Sequence, residues 1–261
     1  MTDFLDAHVE ALARFAESHI SADVEESLIR LKMDHSLKVL DNARTIVREE
    51  SLSASESRLC LLCALYHDIG RFPQIARYHT FNDRESINHG RAGVLALRGF
   101  TLPEGVSDSE ARIIRFSVGQ HNLKTVRDTL PAHLVHPVHV VRDADKLDIF
   151  RVMIAEARNG DRDPAITLGI ESNDPDAYSD AIYESVLTGR DCEYTDLRHP
   201  NDFLLLLLGW TFGLRYAASL DLVLSRGHLK AIFSQLPDDA RIRALEAKMN
   251  EFVRYKTGTP S

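Results

Sequence analysis

The chain has 261 residues, 44% hydrophobic and 27% charged, a globular balance that excludes a disordered tail, a collagen and a disulfide scaffold. A formal charge of −8, from 31 basic and 39 acidic residues, repels DNA and anionic lipid, so any phosphate recognition has to be local. Only three cysteines (Cys60, Cys63, Cys192), an acidic start without a signal-peptide pattern, and no apolar run near the roughly 20 residues of a membrane span point to a cytoplasmic protein.

Helical periodicity dominates in chain order. Leu5, Val9, Leu12, Ala16 and Ile20 make one apolar stripe and predict a helix over about 3–20. Leu28, Leu31, Val39, Ala43 and Ile46 repeat it over about 23–50, with His35 on the same stripe. Ser53-Ala54-Ser55-Glu56 reads as a capping box that opens the apolar run Leu59–Leu65, which Gly70 and Pro73 should end. A polar loop over about 74–84 and a helix over about 85–98 follow. Ser107-Asp108-Ser109-Glu110 is a second capping box, for a helix reaching His121. The pattern then predicts a helix over about 134–158, with Pro137 in its first turn, and a long loop over 159–176. Further helices are expected at about 177–188, 201–226 and 238–255. No period-2 stretch supports a sheet. The expected fold is all-α, a single domain over 1–261.

The residues that carry chemistry are His35, His67, Asp68, His89, His121 and Asp145. They sit on or at the ends of helices with apolar neighbours, so their side chains should point inward. A buried carboxylate without a partner costs several kcal/mol, so it neutralises or finds a cation. Several imidazoles and two carboxylates arriving from separate helices are most economically explained by metal. A carboxylate has two oxygens and can bridge two cations, whereas an imidazole offers one lone pair to one. Four His and two Asp are enough for two ions, and nitrogen and oxygen ligands without thiolate suit Fe, Mn, Co, Ni or Zn.

This set resembles the HD-domain superfamily. Tyr66-His67-Asp68-Ile69-Gly70-Arg71 is similar to its central motif, Asp145 to its closing Asp and His35 to its opening His. His89 and His121 match the two extra histidines of the binuclear branch. The resemblance implies an HD metal-binding core over 23–158, with a helical C-terminal extension over 159–261. It further implies one ion on His35, His67, Asp68 and Asp145, with Asp68 bridging to a second ion on His89 and His121. The Gly-Tyr-Pro signature of the cyclic-di-GMP phosphodiesterase branch is absent.

Two divalent ions against two carboxylates leave a net positive pocket inside an acidic protein, a place for a phosphate ester. The expected activity is therefore phosphohydrolysis of a small, nucleotide-like phosphoester by a hydroxide held between the ions, with Asp68 at its centre. Arg71, Lys124 and Lys146, with Arg84 less favoured, are candidates for the phosphate oxygens. The 79–84 loop is a candidate substrate lid. Two alternatives share the same ligands: a di-iron oxygenase of the HD superfamily, and a catalytically silent nucleotide-binding regulator. No DNA or membrane partner is expected.

Other conspicuous residues read as structural. Cys60 and Cys63 are spaced i, i+3 in an apolar helix without a second pair, which suggests core packing. His133, His136 and His139 drift around a helix, and His8, His19, His199 and His228 lack companions at ligand spacing. Asp148, three residues past Asp145, suits a supporting role behind the ligands. The run Leu204–Leu208 belongs to a helix buried in the chain or against a second copy, so a homodimer is an expectation.

Overall fold

The computed structural model describes residues 2–127, 129–159, 174–190, 192 and 194–258. Most of the expected 159–176 loop lies outside them. Among the described residues the secondary structure is helical with no strand, as periodicity predicts. The chain divides into two compact units, Met1–Asp148 and Ile149–Ser261.

The first unit holds α1 (Thr2–Glu17), α2 (Glu26–Glu49), α3 (Ala54–Tyr66), α4 (Arg71–Tyr78), α5 (His89–Gly99), α6 (Asp108–Gln120) and the greater part of α7 (Ala132–Asn159). Both capping boxes form. Ser53 and Glu56 exchange side-chain and backbone bonds at the start of α3, and Ser107 and Glu110 do the same for α6. Each cap is worth about 1 kcal/mol. α3 is the centre of the unit: Cys60, Leu61, Leu62, Cys63, Ala64, Leu65 and Tyr66 are all buried, with α1, α2 and α6 packed around it. Cys60 and Cys63 are free thiols in that core, and burial pushes Cys63 up to about 12.

Two expectations are corrected here. Residues 74–78 belong to α4, a helix that starts at Arg71 with Pro73 in its first turn, where a missing N–H costs nothing because no intrahelical acceptor exists. The helix predicted over 85–98 begins later, at His89, with the Asn88 side chain accepting from Arg91 N. Two smaller differences also matter. Leu31 is 55% exposed, so the buried face of α2 runs instead through Ile29, Ser36, Val39, Leu40 and Ala43. Because α7 begins at Ala132, Pro137 lies inside the helix rather than in its first turn.

Gly70 joins α3 to α4 and sets how closely that corner meets α5. A Cβ at this position would stand 2.3 Å from Gly93 N and 2.4 Å from His89 O. Both are backbone atoms and cannot swing aside, so only glycine lets the 67–70 corner approach the first turn of α5. Elsewhere, Asn42 Nδ2 of α2 donates to Ala144 O of α7 at 2.9 Å. Arg142 Nη1 donates to the carbonyls of Gln120, His121 and Leu123 at 2.6–2.9 Å. A cation on the last carbonyls of a helix satisfies orphan acceptors and opposes the negative end of its dipole. Arg142 thus fixes the C-terminus of α6, where His121 sits.

The second unit contains α8 (Asp180–Leu187), a 3-10 turn (Tyr194–Asp196), α9 (Pro200–Phe212), α10 (Ala217–Ser225), α11 (His228–Phe233) and α12 (Ala240–Thr257). The single helix expected over 201–226 is two helices, broken between Gly213 and Tyr216. Leu204–Leu208 are buried, and α9 packs on α8 and α11 of the same chain, so covering them requires no second copy. The buried Asp202 carboxylate accepts from Ser179 N, Ser179 Oγ, Arg198 N and His199 N at 2.6–2.9 Å. It ties the starts of α8 and α9 together. His228 stacks on Phe150 at 5.8 Å between ring centroids, a packing role. Among the described residues no helix is long and apolar enough to cross a membrane.

Candidate metal centre

Five elements deliver the polar cluster of the first unit: His35 from α2, His67 and Asp68 from the corner after α3, His89 from the first residue of α5, His121 from the end of α6, and Asp145 from α7. The helix ends carry much of the geometry. α3 stops at Tyr66, and a tighter turn that begins at His67, still helical in φ and ψ, carries His67 and Asp68 to one centre. All six residues come together, as their pattern predicts.

Asp68 sits in the middle, buried, with its two oxygens facing different partners. Oδ2 lies 3.7 Å from His35 Nε2 and 3.9 Å from His67 Nε2. Oδ1 lies 3.7 Å from both His89 Nε2 and His121 Nε2. Asp145 Oδ1 closes the first side, 3.1 Å from His35 Nε2 and 3.7 Å from His67 Nε2. Two overlapping groups have donor atoms within 4.8 Å of one another: His35, His67 and Asp145, and His67, Asp68 and His121.

The outer ring nitrogens decide which atoms face inward. His67 Nδ1 donates to Ala64 O at 2.8 Å and His121 Nδ1 to Val118 O at 2.7 Å. His35 Nδ1 meets Asp148 Oδ2, and His89 Nδ1 meets Asp83 Oδ2, each at 2.7 Å. Carbonyls and carboxylates only accept, so all four Nδ1 atoms carry hydrogen, and a neutral ring then presents a lone pair at Nε2. The inward nitrogens meet in pairs. His35 and His67 Nε2 are 3.2 Å apart, and His89 and His121 Nε2 are 3.1 Å apart. Facing lone pairs at that distance repel unless a cation sits between or beside them. The donor set therefore fits divalent transition metal, with four imidazole nitrogens and carboxylate oxygens and no thiolate.

The electrostatics agree. Burial opposes charge on Asp68, but Lys32, His67 and Arg71 hold its carboxyl well below the usual carboxylate range. Burial likewise opposes charge on Asp145, where the His35 bond and the nearby His67 win. Burial lowers His67 to about 4 and also lowers His89, which keeps both rings neutral at pH 7. At His35 burial is outweighed by the bonds to Asp145 and Asp148, and the ring is held up to about 9.

Of the cations expected beside the site, Arg71 is present: its Nε stands 3.5 Å from Asp68 Oδ1, buried and without a hydrogen-bond acceptor. Lys124 is corrected. α6 ends at Gln120, so the helical spacing that would carry Lys124 beside His121 does not hold, and its side chain is exposed. Lys146 is half-buried next to Asp145, but successive helix residues point about 100° apart, and Arg84 is exposed on its loop.

Sequence reading missed two residues. Lys32, one turn before His35, brings Nζ to 3.4 Å from Asp68 Oδ2 and 5.1 Å from the Phe81 ring centroid. Its spacing of i−3 from His35 on α2 was the available signal. Asp83, in the polar loop before α5, carries the His89 bond and is held down to about 2, burial being overcome by His89 and Arg71. Nothing local marked it.

Residues 33–149 match the family model of the HD domain, and this segment contains all six clustered residues. No curated protein and no solved structure matches the chain. Helical architecture, the His67-Asp68 pair at the corner of α3 and the matched segment together identify residues 33–149 as an HD domain, of a superfamily whose members are generally metal-dependent hydrolases.

Proposed function

We propose that this protein is a metal-dependent phosphohydrolase with a binuclear centre, acting on a small phosphoester of nucleotide type. The observation that carries the reading is the division of Asp68: one oxygen faces His35 and His67, the other His89 and His121. On this reading His35, His67, Asp68 and Asp145 hold one ion, and Asp68, His89 and His121 the other. When bound, such ions bring water toward ionisation near neutral pH and polarise phosphoryl oxygens.

The chain's own residues do the rest. Lys32 and Arg71 approach Asp68 from opposite ends, at 3.4 and 3.5 Å. Arg71 Nε–H is a buried donor without an acceptor, which suits a phosphoryl oxygen arriving beside Asp68. Lys32 adds a second positive charge on the side of His35. Both orient the phosphoryl group and neutralise it. Water attacks phosphorus, the P–O bond to the leaving group breaks, and the departing oxygen takes up the proton that the attacking water loses. Burial of the ring nitrogens keeps the ligand set dry and fixed.

The test is a panel of phosphomonoesters and nucleotides with protein loaded in turn with Mn, Fe, Co, Ni and Zn. Release of phosphate or nucleoside by wild type, lost in Asp68→Ala, is expected. Equal turnover by both proteins overturns the reading. Oxygen uptake after anaerobic iron loading, without any phosphate release, would replace it with an oxygenase.

A further inference from the structure

The carboxylate of Asp83 accepts more hydrogen bonds than that of Asp68. Oδ2 takes the Nδ1–H of His89 at 2.7 Å and the backbone N–H of His89 at 3.2 Å, with Asn122 Nδ2 at 3.4 Å. Oδ1 takes Arg71 Nη1 at 3.1 Å and Gln74 Nε2 at 3.0 Å. The same two α4 side chains hold the surrounding loop. Arg71 Nη1 also donates to Phe81 O at 2.7 Å, and Gln74 Nε2 donates to Ser86 Oγ and Ile87 O at 2.8 and 3.0 Å. One carboxylate therefore joins the ring of His89, the guanidinium beside Asp68 and the backbone path from Thr80 to Asn88.

We propose that Asp83 is a positioning residue that couples occupancy of the His89–His121 ion position to the order of the 80–88 loop and the aim of Arg71. The inference rests on the binuclear reading above. An anionic acceptor on Nδ1 makes the opposite nitrogen a stronger donor to metal and fixes the ring plane. His121 has a carbonyl in that role, and His35 has Asp148, so Asp83 is the one charged support on the His89 side. Coupling runs both ways by thermodynamic necessity: whatever tightens the ion through His89 also tightens the loop that supplies Asp83. His67 and His35, at the other ion position, have their hydrogen-bond partners outside this loop.

The experiment uses the full chain, stripped with chelator and reloaded with Mn(II), in four versions: wild type, Asp83→Asn, Asp83→Ala and Asn82→Ala. Asn82 Oδ1 accepts from Arg84 N in the same loop and touches neither His89 nor Arg71. Four readouts are taken: ions per chain by elemental analysis, the electron paramagnetic resonance spectrum, amide exchange over residues 80–88 with and without manganese, and circular dichroism. Wild type and Asn82→Ala are expected to hold two ions, with a spin-coupled spectrum and metal-dependent protection of the loop. Both Asp83 variants are expected to bind the second ion about 10- to 100-fold more weakly. They should keep one ion, show an uncoupled spectrum and lose the metal-dependent protection, while circular dichroism stays that of wild type. Two tightly bound, coupled ions in both Asp83 variants would overturn the inference and leave the binuclear reading standing. A second ion lost as fully in Asn82→Ala as in the Asp83 variants would also overturn it, since Asp83 would then do no more than any other residue of the loop. Fewer than two ions in wild type would remove the binuclear reading itself.

Discussion

Asp148 Oδ2 lies 2.7 Å from His35 Nδ1, the outward nitrogen of a ring whose inward nitrogen is 3.1 Å from Asp145. Two carboxylates one turn apart on α7 thus hold a single imidazole from both ends. By taking the Nδ1–H, Asp148 turns Nε2 to the centre and makes that nitrogen more basic. Replacing Asp148 with Asn retains an acceptor but removes its charge. A 10- to 100-fold weaker manganese affinity is expected, read by isothermal titration against a competing chelator. Unchanged affinity in Asp148→Asn and Asp148→Ala would separate Asp148 from the centre.

Gly70 gives a prediction on packing. Its missing Cβ is what lets the 67–70 corner rest against the backbone of His89 and Gly93. Gly70→Ala should cost about 1–3 kcal/mol, as overpacking against rigid neighbours does. Urea denaturation measures the loss. The variant should also take up less metal than wild type, because the displaced backbone carries His89. A stability within error of wild type would mean the corner has room that its geometry denies.

Lys32 gives a prediction on substrate. Its ammonium stands beside Asp68 but supplies no lone pair to a metal, so Lys32→Met should keep the metal content of wild type. Loss of one charge-assisted contact, about 1.5–3 kcal/mol, should lower kcat/KM for a phosphoester about 10- to 100-fold. Steady-state kinetics on the best substrate of the panel decides it. A variant as efficient as wild type would exclude Lys32 from phosphate recognition.

His8 gives the pH prediction. Its ring is buried beside Tyr66, with Nδ1 2.7 Å from the phenol oxygen, and burial together with Arg58 lowers it to about 4 from an ordinary 6.5. The unfolded chain therefore binds a proton below about pH 6.5 that the folded chain refuses. The stability this neutral ring contributes is present above pH 6.5 and is lost as pH falls through 4. His8→Gln cannot take up that proton, so its urea midpoint should fall less steeply than that of wild type between pH 6.5 and 4. Parallel slopes would show that other groups govern the acid limb.

Much of this was legible because the signals are local. Ser53 with Glu56, and Ser107 with Glu110, are complete at four residues, and both caps form. The six clustered residues were readable as a set because their types and order match one known pattern. α4 was not readable, since Gly70 and Pro73 look like terminators and their meaning depends on which side of them the helix lies. Pro73 stops α3's continuation and begins α4 equally well. The break between α9 and α10 escaped for a different reason: an unbroken apolar run has no period from which to locate an interruption. Lys32 and Asp83 belong to a third kind. Their roles lie in contacts to Asp68, Arg71 and His89 that polar residues on a helix face or in a loop do not announce.

The spacing of the centre along the chain has a consequence for its birth. Four imidazoles and Asp68 are in place by residue 121, yet Asp145 and Asp148 come only in the middle of α7. A nascent chain leaving the ribosome thus lacks both carboxylates that grip His35 until almost all of the first unit has been made. Ion capture at that ring belongs to the end of this unit's synthesis, and a product truncated before Asp145 holds an open claw rather than a closed one.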